Sequence, residues 1–497
     1  MDQRSTAFIG PDTTSIDAGN VGKLELSWAF ALPNTTDARS QPVVTTDTLF
    51  VAAVSGHLFA LDRLTGCTRW HWESAGPLRT ALTLGTVRRG DAALPALFLG
   101  DATGFVTALD AASGEVLWRT QVKLFDLSML TGAVVQHGNR LIVPISAIEV
   151  AVAANPAYEC CKTHGAVRML DANTGDILWT TRLAPEAQPT GKTSAGVAQW
   201  GPSGVPVWST PTVDAERGVV YVGTGENTSS PATDKSDSIV ALSLEDGTIE
   251  WHFQALAGDV FNNACAGMQK GPNCPKEDGP DFDFGASVII ARDSRGRDLL
   301  LAGQKSGEVF ALDPDAEGKV VWRRRVGAGS ALGGVHWGLA TSEGRVYVPI
   351  SDPPFPQPDY VPRTGLYALA IDDGAVVWQH PIERGCETNI MAYFQRETLY
   401  PECSFFYGLS AAPMALPGVV FAPALDGKLR AFAAKTGEIL WSYDTVQPYD
   451  TVNGVRAHGG AIDSAGVIAV GDMVYVQSGY SLFGQLPGNV LLAFKLP

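Results

Sequence analysis

Charged residues are scarce in this sequence, and positive ones are scarcer than negative ones. Only 18% of the 497 residues are charged while 45% are hydrophobic, so the chain is too apolar to be intrinsically disordered. Lysine and arginine number 36 against 52 aspartates and glutamates, which gives a formal net charge of −16. Nucleic acid and anionic membranes require a basic face on their partner, so this charge balance argues against both.

Long apolar runs are missing as well. No stretch of 18 or more apolar residues occurs, so we expect no membrane insertion. The first ten residues, MDQRSTAFIG, lack the apolar core of a signal peptide. We therefore expect the chain to be a mature form whose leader was removed.

The seven cysteines lack the spacing of a zinc site and the CxxCH motif of haem attachment. They fall instead into three near pairs and one single residue: Cys160 with Cys161, Cys265 with Cys274, Cys386 with Cys403, and Cys67 alone. Paired cysteines favour disulfides in an oxidising compartment. We expect a periplasmic or secreted protein.

Glycine, proline and a tryptophan repeat are abundant. With 53 glycines and 31 prolines, the composition excludes a helical bundle and suits short strands joined by tight turns. A hairpin of the form ALDAASGEVLW recurs seven times, with a glycine four residues before the tryptophan. The tryptophans at these strand ends are Trp70, Trp118, Trp179, Trp251, Trp322, Trp378 and Trp441, and Trp28 stands at an equivalent strand end without a hairpin of its own.

Eight tryptophans predict an all-β fold, an eight-bladed β-propeller in which residues 1–497 form a single domain. We expect each repeat tryptophan to pack between neighbouring sheets. The strand of Trp28 is expected to close the ring against the last hairpin, near VLLAFKLP. Function then depends on residues that break the repeat, and the funnel of the propeller is the expected ligand site.

Several motifs resemble the quinoprotein alcohol dehydrogenases. They are the ALDxxTGxxxW hairpin, the adjacent Cys160 and Cys161, and Trp208 eighteen residues before Glu226 of the GTGEN motif. The segments NPAYECC, GPSGVPVWSTPTVD, GPDFDFGAS and VNGVRAHGGAID are most similar to the polyvinyl alcohol dehydrogenase branch. The resemblance implies pyrroloquinoline quinone (PQQ) in the propeller funnel. That branch often carries a fused cytochrome c domain, which we expect this chain to lack, so electrons would leave for an external cytochrome c or another acceptor.

The resemblance also implies which residues surround the cofactor. Thr131 and Ser146 would hydrogen-bond its carboxylates. Trp208 would lie under the quinone ring, and a Cys160–Cys161 disulfide would cover the opposite face.

The resemblance further implies a metal ion that bridges protein and quinone. Glu149 falls on a glutamate that binds this ion. The second protein ligand of the family is an asparagine, whose position is taken here by Glu226 with Asn227 beside it, so either residue is a candidate.

Proton abstraction from an alcohol needs a carboxylate. The segment LAGDVFNN has Asn262 where the resemblance expects the catalytic aspartate, and an amide cannot act as a base. Asp281 and Asp283 alternate with phenylalanine in GPDFDFGAS, so we expect both at the start of a strand and on one face. We favour this pair as base, with Asp259 in reserve. An extra aspartate two residues after the base resembles the lanthanide-dependent dehydrogenases, so calcium is the first expectation and a lanthanide the second.

Other residues are candidates on positional grounds. Lys305 lies where the family has a cation beside the quinone oxygens, which would stabilise negative charge on reduction. Arg79 is a candidate partner of a PQQ carboxylate, and His336 and Trp337 are candidates for the funnel lining. The pairs Cys265–Cys274 and Cys386–Cys403 are expected to be structural staples on surface insertions.

Two functions follow from these patterns. The first is PQQ- and metal-dependent oxidation of secondary alcohols, such as polyvinyl alcohol or another bulky hydroxylated compound, to ketones. The alternative is a cofactor-free scaffold propeller of the outer-membrane assembly type, which has the same hairpin repeats. A scaffold has no reason to carry the non-repeat set of Thr131, Ser146, Glu149, Trp208 and Lys305.

Overall fold

The computed structural model describes residues 7–266, 269–353, 360–384, 406–464 and 466–497, and they consist almost entirely of strands and turns. In chain order the first strands are β1 (Glu25–Ala31), β2 (Val43–Val44), β3 (Thr48–Ala52), β4 (His57–Asp62), β5 (Thr68–Glu73), β6 (Thr83–Arg89), β7 (Ala92–Gly100), β8 (Phe105–Asp110), β9 (Val116–Gln121), β10 (Ser128–Met129), β11 (Val135–His137), β12 (Arg140–Ala147), β13 (Ala166–Asp171) and β14 (Ile177–Arg182). The next are β15 (Gln188–Lys192), β16 (Ala198–Gly201), β17 (Ser203–Gly204), β18 (Thr212–Asp214), β19 (Val219–Gly223), β20 (Asn227–Ser229), β21 (Ser238–Ser243), β22 (Ile249–Gln254), β23 (Ile289–Arg292), β24 (Asp298–Gly303), β25 (Glu308–Asp313) and β26 (Lys319–Arg325). The last are β27 (Ala340–Ser342), β28 (Arg345–Ile350), β29 (Gly365–Ala370), β30 (Val376–Pro381), β31 (Met414–Leu416), β32 (Val419–Pro423), β33 (Lys428–Ala433), β34 (Ile439–Asp444), β35 (Pro448–Tyr449), β36 (Ala457–His458), β37 (Ile468–Val470), β38 (Met473–Ser478) and β39 (Val490–Lys495).

Helical elements are short throughout the described ranges. They are the α-helix α1 (Glu149–Val152) and three 3-10 helices, Val21–Lys23, Asn263–Cys265 and Pro314–Ala316. No helix in the described part of the chain is long and apolar enough to cross a membrane.

Four-stranded antiparallel sheets are the repeating unit. Eight such blades occur in the described residues, seven with four strands and the third with five: β2 to β5, β6 to β9, β10 to β14, β18 with β19, β21 and β22, β23 to β26, β27 to β30, β31 to β34, and β37 to β39 with β1. In the third of these sheets β10 also pairs with β12. Two-stranded ladders join β15 to β16, β17 to β20, and β35 to β36. The predicted eight-bladed β-propeller is confirmed.

The last sheet combines strands from the two ends of the sequence. β1 pairs antiparallel with β39, from Glu25 opposite Lys495 to Ala31 opposite Val490, and β39 also pairs with β38. Trp28 lies in β1 opposite Ala493. The predicted closure by the strand of Trp28 is therefore confirmed.

Several repeat tryptophans pack on a glycine in the turn of the following hairpin. A Cβ atom added to Gly175 would lie 2.6 Å from Trp118, and one added to Gly437 would lie 2.5 Å from Trp378. Both glycines have φ near +75°, where a side chain is strained as well as crowded. Trp118 Nε1 also donates to the carbonyl oxygen of Ala172, at 2.9 Å. The predicted docking of tryptophan on the neighbouring sheet is observed at these positions.

The chain divides into two compact units. The first comprises the described residues up to Leu82 together with Ile289–Ala311 and Val321–Pro497, and the second comprises Thr83–Val288 and Leu312–Val320. Each has cores of fully buried aliphatic and aromatic side chains between its strands, such as Phe432 and Phe494 in the first unit and Phe98 and Val143 in the second. The assignment of residues 1–497 to a single domain stays a prediction.

Candidate active site

Three carboxylates converge in the second unit. Glu226 lies between β19 and β20, whereas Asp281 and Asp283 lie in the segment before β23. One carboxylate oxygen from each residue lies within 4.8 Å of the others. Glu226 and Asp283 are buried, and Asp281 is the least buried of the three residues. Crowded carboxylates of this kind suit a multivalent cation with a preference for oxygen ligands.

Trp208 belongs to the same cluster. Its Nε1 donates to Asp283 Oδ2 at 2.8 Å, while the backbone N–H of Glu226 donates to Asp283 Oδ1 at 3.1 Å. A Cβ atom at Gly285 would collide with the Trp208 indole, so glycine is needed for the ring to lie against this backbone. Both oxygens of Asp283 are thus held in place.

Asp281 reaches the cluster through a turn. Its φ is +61°, in the left-handed region that few residues other than glycine adopt. The expected strand start at Asp281 and Asp283 is wrong, because this segment is irregular and the strand begins only at Ile289. Both side chains nevertheless converge, although the left-handed backbone at Asp281 breaks the strand alternation that was expected to align them.

Asp259 fixes this turn. It is buried, and its two carboxylate oxygens accept hydrogen bonds from the backbone N–H groups of Asp281, at 3.3 Å, and Phe282, at 2.9 Å. A Cβ atom at Gly279 would collide with the Asp259 carboxylate. The geometry makes Asp259 a positioning residue for Asp281, a role that the sequence did not indicate.

Glu226 and Asn227 point to different surroundings. Asn227 Nδ2 donates to the Ser203 carbonyl oxygen at 2.9 Å, and its Oδ1 accepts from the Thr233 backbone N–H at 2.7 Å. Adjacent side chains on an extended segment project to opposite sides. The structure therefore brings Glu226 into the carboxylate cluster and commits the Asn227 amide to a neighbouring loop.

Glu149 binds the loop that carries the adjacent cysteines. Its Oε1 accepts from the Tyr158 hydroxyl at 2.7 Å and from the Lys162 backbone N–H at 2.8 Å. Its Oε2 accepts from the Thr163 backbone N–H at 2.6 Å. Burial of Tyr158 and its hydrogen bond to Glu149 raise the pKa of the Tyr158 hydroxyl above its usual range. Glu149 lies outside the group formed by Glu226 and the two aspartates, although the sequence linked all four through one ion.

Cys160 and Cys161 form the predicted disulfide, and both are buried. The peptide bond between them is cis. The Trp200 backbone N–H donates to the Cys160 carbonyl oxygen at 2.7 Å, and the Cys161 N–H donates back to the Trp200 carbonyl at 3.2 Å. The disulfide is thus held between Trp200 on one side and the contacts of Glu149 on the other.

The predicted Cys265–Cys274 disulfide is also formed, and it does more than close a surface loop. The adjacent Asn273 is buried, and its Nδ2 lies within hydrogen-bond distance of three carbonyl oxygens: Ala153 at 3.1 Å, Asn155 at 3.0 Å and Tyr158 at 3.1 Å. These carbonyls belong to the turn that leads into Cys160. The sequence did not single out Asn273, and its position beside a cysteine was the one available signal.

Asn262 anchors the same region. Its Nδ2 donates to the carbonyl oxygens of Thr228, at 3.0 Å, and Asn273, at 2.9 Å, while its Oδ1 accepts from the Ala264 N–H at 2.9 Å. All its polar atoms are engaged with backbone. The residue at the position expected for the base is thus structural. Of the remaining cysteines, Cys67 is exposed and free, and the Cys386–Cys403 pair lies outside the described residues.

Thr131 and Ser146 lie close to one another in the sheet of β12. Ser146 is buried in β12, opposite Met129 of β10, and half-buried Thr131 follows β10 by two residues. A Cβ atom at Gly132 would collide with the carbonyl oxygen of Ser209. The segment of Thr131 therefore passes directly against the residue after Trp208.

The other predicted residues lie in the first unit. Arg79 is half-buried, with its guanidinium carbon 5.5 Å from the centre of the Trp337 ring, and desolvation lowers its pKa. His336 Nδ1 lies 3.0 Å from Ser410 Oγ, and its ring is tilted against Trp337 at 4.9 Å. Lys305 is buried just after β24.

The first unit also holds a carboxyl group that the sequence reasoning missed. Asp463 is buried, and desolvation raises its pKa to about 6 even though Ser410 and Arg79 favour its charged form. The Ser464 N–H donates to it at 2.8 Å. Asp463 ends the VNGVRAHGGAID segment, so the resemblance marked its surroundings without marking the residue.

Known proteins resemble this chain along most of its length. The PQQ family, described as glucose/ethanol/alcohol dehydrogenase, beta-propeller domain, matches residues 8–266. Polyvinylalcohol dehydrogenases from a Pseudomonas species and from Sphingopyxis sp. strain 113P3 are each 38% identical to it, over 97% of this chain and 74% of theirs. The chain belongs to the quinoprotein alcohol dehydrogenase family.

Solved structures share the fold of this quinoprotein dehydrogenase. Quinohemoprotein alcohol dehydrogenase from Comamonas testosteroni has a TM-score of 0.68 at 21% identity, covering 100% of this chain and 79% of its own. A europium-containing methanol dehydrogenase has a TM-score of 0.67 at 16% identity, covering 99% and 96%. The family of the outer membrane protein assembly factor BamB matches residues 305–489. At these identities the solved structures show the fold alone.

The second unit of this quinoprotein dehydrogenase fits the cofactor of its family. Trp208 supplies an aromatic ring beside the carboxylate cluster, and the Cys160–Cys161 disulfide supplies a rigid sulfur surface. The collision that any side chain at Gly285 would cause shows that the backbone is shaped around the indole. An aromatic platform next to oxygen ligands is a donor set suited to a flat quinone with a bound cation.

Proposed function

We propose that this chain oxidises secondary alcohols to ketones with PQQ and a bound metal ion, and that its substrate is polyvinyl alcohol or another bulky hydroxylated compound. The observation that carries the proposal is the convergence of Glu226, Asp281 and Asp283 beside Trp208. The printed names of the two relatives at 38% identity, both polyvinylalcohol dehydrogenases, support the choice of substrate.

The carboxylate cluster is the proposed metal site. Glu226 and Asp283 are its buried members, and their oxygens suit calcium first and a lanthanide second. The europium-containing methanol dehydrogenase among the structural relatives supports the second choice. Glu149 stays a proposed ligand on the resemblance alone, because its carboxylate lies outside this cluster and accepts three hydrogen bonds from the loop of the disulfide.

Asp281 is the proposed base. PQQ, when bound, supplies the hydride acceptor. Asp283 has its oxygens fixed by Trp208 and by the Glu226 N–H, which suits a ligand, whereas Asp281 is the least buried of the three and its backbone is held by Asp259. A base needs a fixed backbone and a carboxylate that can reach the hydroxyl proton, and Asp281 combines the two.

The remaining family roles are also proposals. They are hydrogen bonding to the cofactor by Thr131 and Ser146, pairing of Arg79 with a PQQ carboxylate, charge stabilisation by Lys305, and lining of the funnel by His336 and Trp337. The two observed disulfides support a periplasmic or secreted location. The proposed electron acceptor is an external cytochrome c.

A titration of the purified chain with PQQ tests the proposal. In calcium chloride or a lanthanide chloride, we expect saturable quenching of tryptophan fluorescence and dye-coupled oxidation of a secondary alcohol. The Trp208→Phe variant should lose much of the quenching, whereas Trp72→Phe, in β5 of the first unit, is the matched control. If micromolar PQQ does not bind with either metal, the proposal is wrong and the scaffold function, supported by the BamB family match, replaces it.

A further inference from the structure

A second group of metal-ligand side chains lies on the first sheet of the first unit. β4 pairs antiparallel with β5, so that His57 is opposite Glu73 and Phe59 is opposite His71. Side chains alternate along a strand, and directly paired residues project to the same face. His57, His71 and Glu73 therefore stand together on one face of this hairpin.

Three polar atoms of this group converge. His57 Nδ1 lies 2.9 Å from His71 Nε2 and 3.2 Å from Glu73 Oε1, and His71 Nε2 lies 3.9 Å from the same oxygen. Tetrahedral coordination at about 2.0–2.1 Å places neighbouring ligand atoms about 3.3 Å apart. The three observed distances bracket that value, so one ion can contact all three atoms with little movement.

The imidazole rings are held by an aromatic side chain. Phe59 stacks on His71, with ring centres 4.7 Å apart, and lies 6.0 Å from His57. Phe59 in turn packs edge-on against Phe30 of β1 at 5.1 Å. Fixing both rings before an ion arrives lowers the entropic cost of binding.

Hydrogen bonds alone do not satisfy all three polar atoms of this group. His57 Nδ1 is within hydrogen-bond distance of both His71 and Glu73, yet it carries at most one hydrogen. A metal ion would engage all three atoms at once.

We propose that His57, His71 and Glu73 form a surface site for a divalent transition metal of the zinc class. Two imidazoles and one carboxylate are a common donor set for zinc, whereas calcium requires oxygen ligands. The side chains are 18%, 36% and 63% exposed, so the ion can enter from solution and water can take the fourth position. This site shares no residue with the proposed carboxylate metal site and differs from it in its donor atoms.

Zinc titration by calorimetry tests the proposal in the presence of saturating calcium, which occupies oxygen-ligand sites. The Cys67→Ser background removes an exposed thiol in the turn between β4 and β5. We expect one zinc per chain. His57→Ala and His71→Ala should each weaken binding at least about tenfold, the lower bound known for disturbing the surroundings of a metal ligand, and Glu73→Gln should weaken it less.

The matched control is His252→Ala. His252 follows Trp251 in β22 as His71 follows Trp70 in β5, but it lies opposite Val240 and its nearest acidic partner is Asp234 at 3.8 Å. Its removal should leave zinc binding unchanged. Equal zinc affinity in the parent and in a folded His57→Ala/His71→Ala double variant would overturn the proposal, as would a parent chain that takes up no zinc at micromolar concentration.

Discussion

Two clusters of metal-ligand side chains differ in donors, burial and backbone. The cluster of Glu226, Asp281 and Asp283 offers only oxygen and is largely buried, whereas His57, His71 and Glu73 offer two nitrogens and one oxygen at the surface. The surface group follows from the regular register of one hairpin. The buried group requires a left-handed aspartate, a second carboxylate that holds its backbone, and glycines in close contact. The strained backbone conformation is thus found at the proposed catalytic site. Such strain is common at active sites, where the surrounding contacts hold it in place.

The largest expected effect comes from Asp281. Asp281→Asn should lower kcat by roughly two to four orders of magnitude, the usual contribution of a general base, while PQQ still binds. Steady-state kinetics and fluorescence titration measure the two quantities. Asp278→Asn is the control, because Asp278 lies in the same segment but pairs with Lys270. A kcat within a few-fold of the parent would remove Asp281 from the mechanism.

A variant of Glu226 tests whether the buried oxygen-ligand site and the surface histidine site bind different metal ions. Glu226→Gln removes one negative charge from the cluster, and we expect lanthanide affinity to fall by about tenfold or more, since ligand charge tunes affinity over orders of magnitude. Calcium affinity should fall less, and zinc binding at His57 and His71 should not change. Metal titrations after chelation and dialysis provide the comparison, monitored by PQQ fluorescence for calcium and the lanthanide and by calorimetry for zinc. An equal loss for all three ions would contradict distinct sites.

Asn273 provides a smaller effect on the disulfide loop. Asn273→Ala leaves three carbonyl oxygens without their shared donor, which should cost about 1–3 kcal/mol of the free energy of unfolding. As a positioning residue it should also control access to Cys160–Cys161, so dithiothreitol should reduce that disulfide faster than in the parent. Peptide mapping after alkylation measures this rate. The control is Asn263→Ala, at an exposed asparagine two residues before Cys265, and its rate of disulfide reduction should match that of the parent. A similar acceleration in this variant would refute the role of Asn273.

The smallest expected effect concerns the histidine site and the oxidation reaction. The double variant His57→Ala/His71→Ala should keep alcohol oxidation within about twofold of the parent, because surface substitutions usually change the free energy of unfolding by about 0.5 kcal/mol or less. Dye-coupled assays with PQQ and calcium check this. A large loss of activity, in protein that unfolds at the parent temperature, would show that the two clusters depend on each other.

The fold was predictable because single residues mark each copy of its repeat. A tryptophan at each strand end and a glycine in each turn fix both the hairpin and its contact with the next sheet, as Trp118 and Gly175 show. Trp28 even indicated how the ring closes. Periodic packing of this kind can be recognised in a sequence because every copy of the hairpin has the same residue types at the same spacing.

The sequence predicted residues of the candidate site, but not the directions in which their side chains point. Spacing identified Glu149, but could not show that its carboxylate accepts three hydrogen bonds from the loop of the disulfide. Alternation correctly grouped Asp281 with Asp283, yet for the wrong reason, because the left-handed φ of Asp281 replaces the expected strand. Such contacts depend on non-local packing, which a single sequence does not display.

The pairing of β1 with β39 constrains how the protein is made. Synthesis runs from the N-terminus, so Glu25–Ala31 emerge from the ribosome long before Val490–Lys495 exist to pair with them. Until then Trp28 and Phe30 lack the strand against which they are finally buried, and the last sheet cannot assemble before those residues are made. Closure of this sheet therefore depends on contacts between segments far apart in the sequence, which makes it a late step in folding.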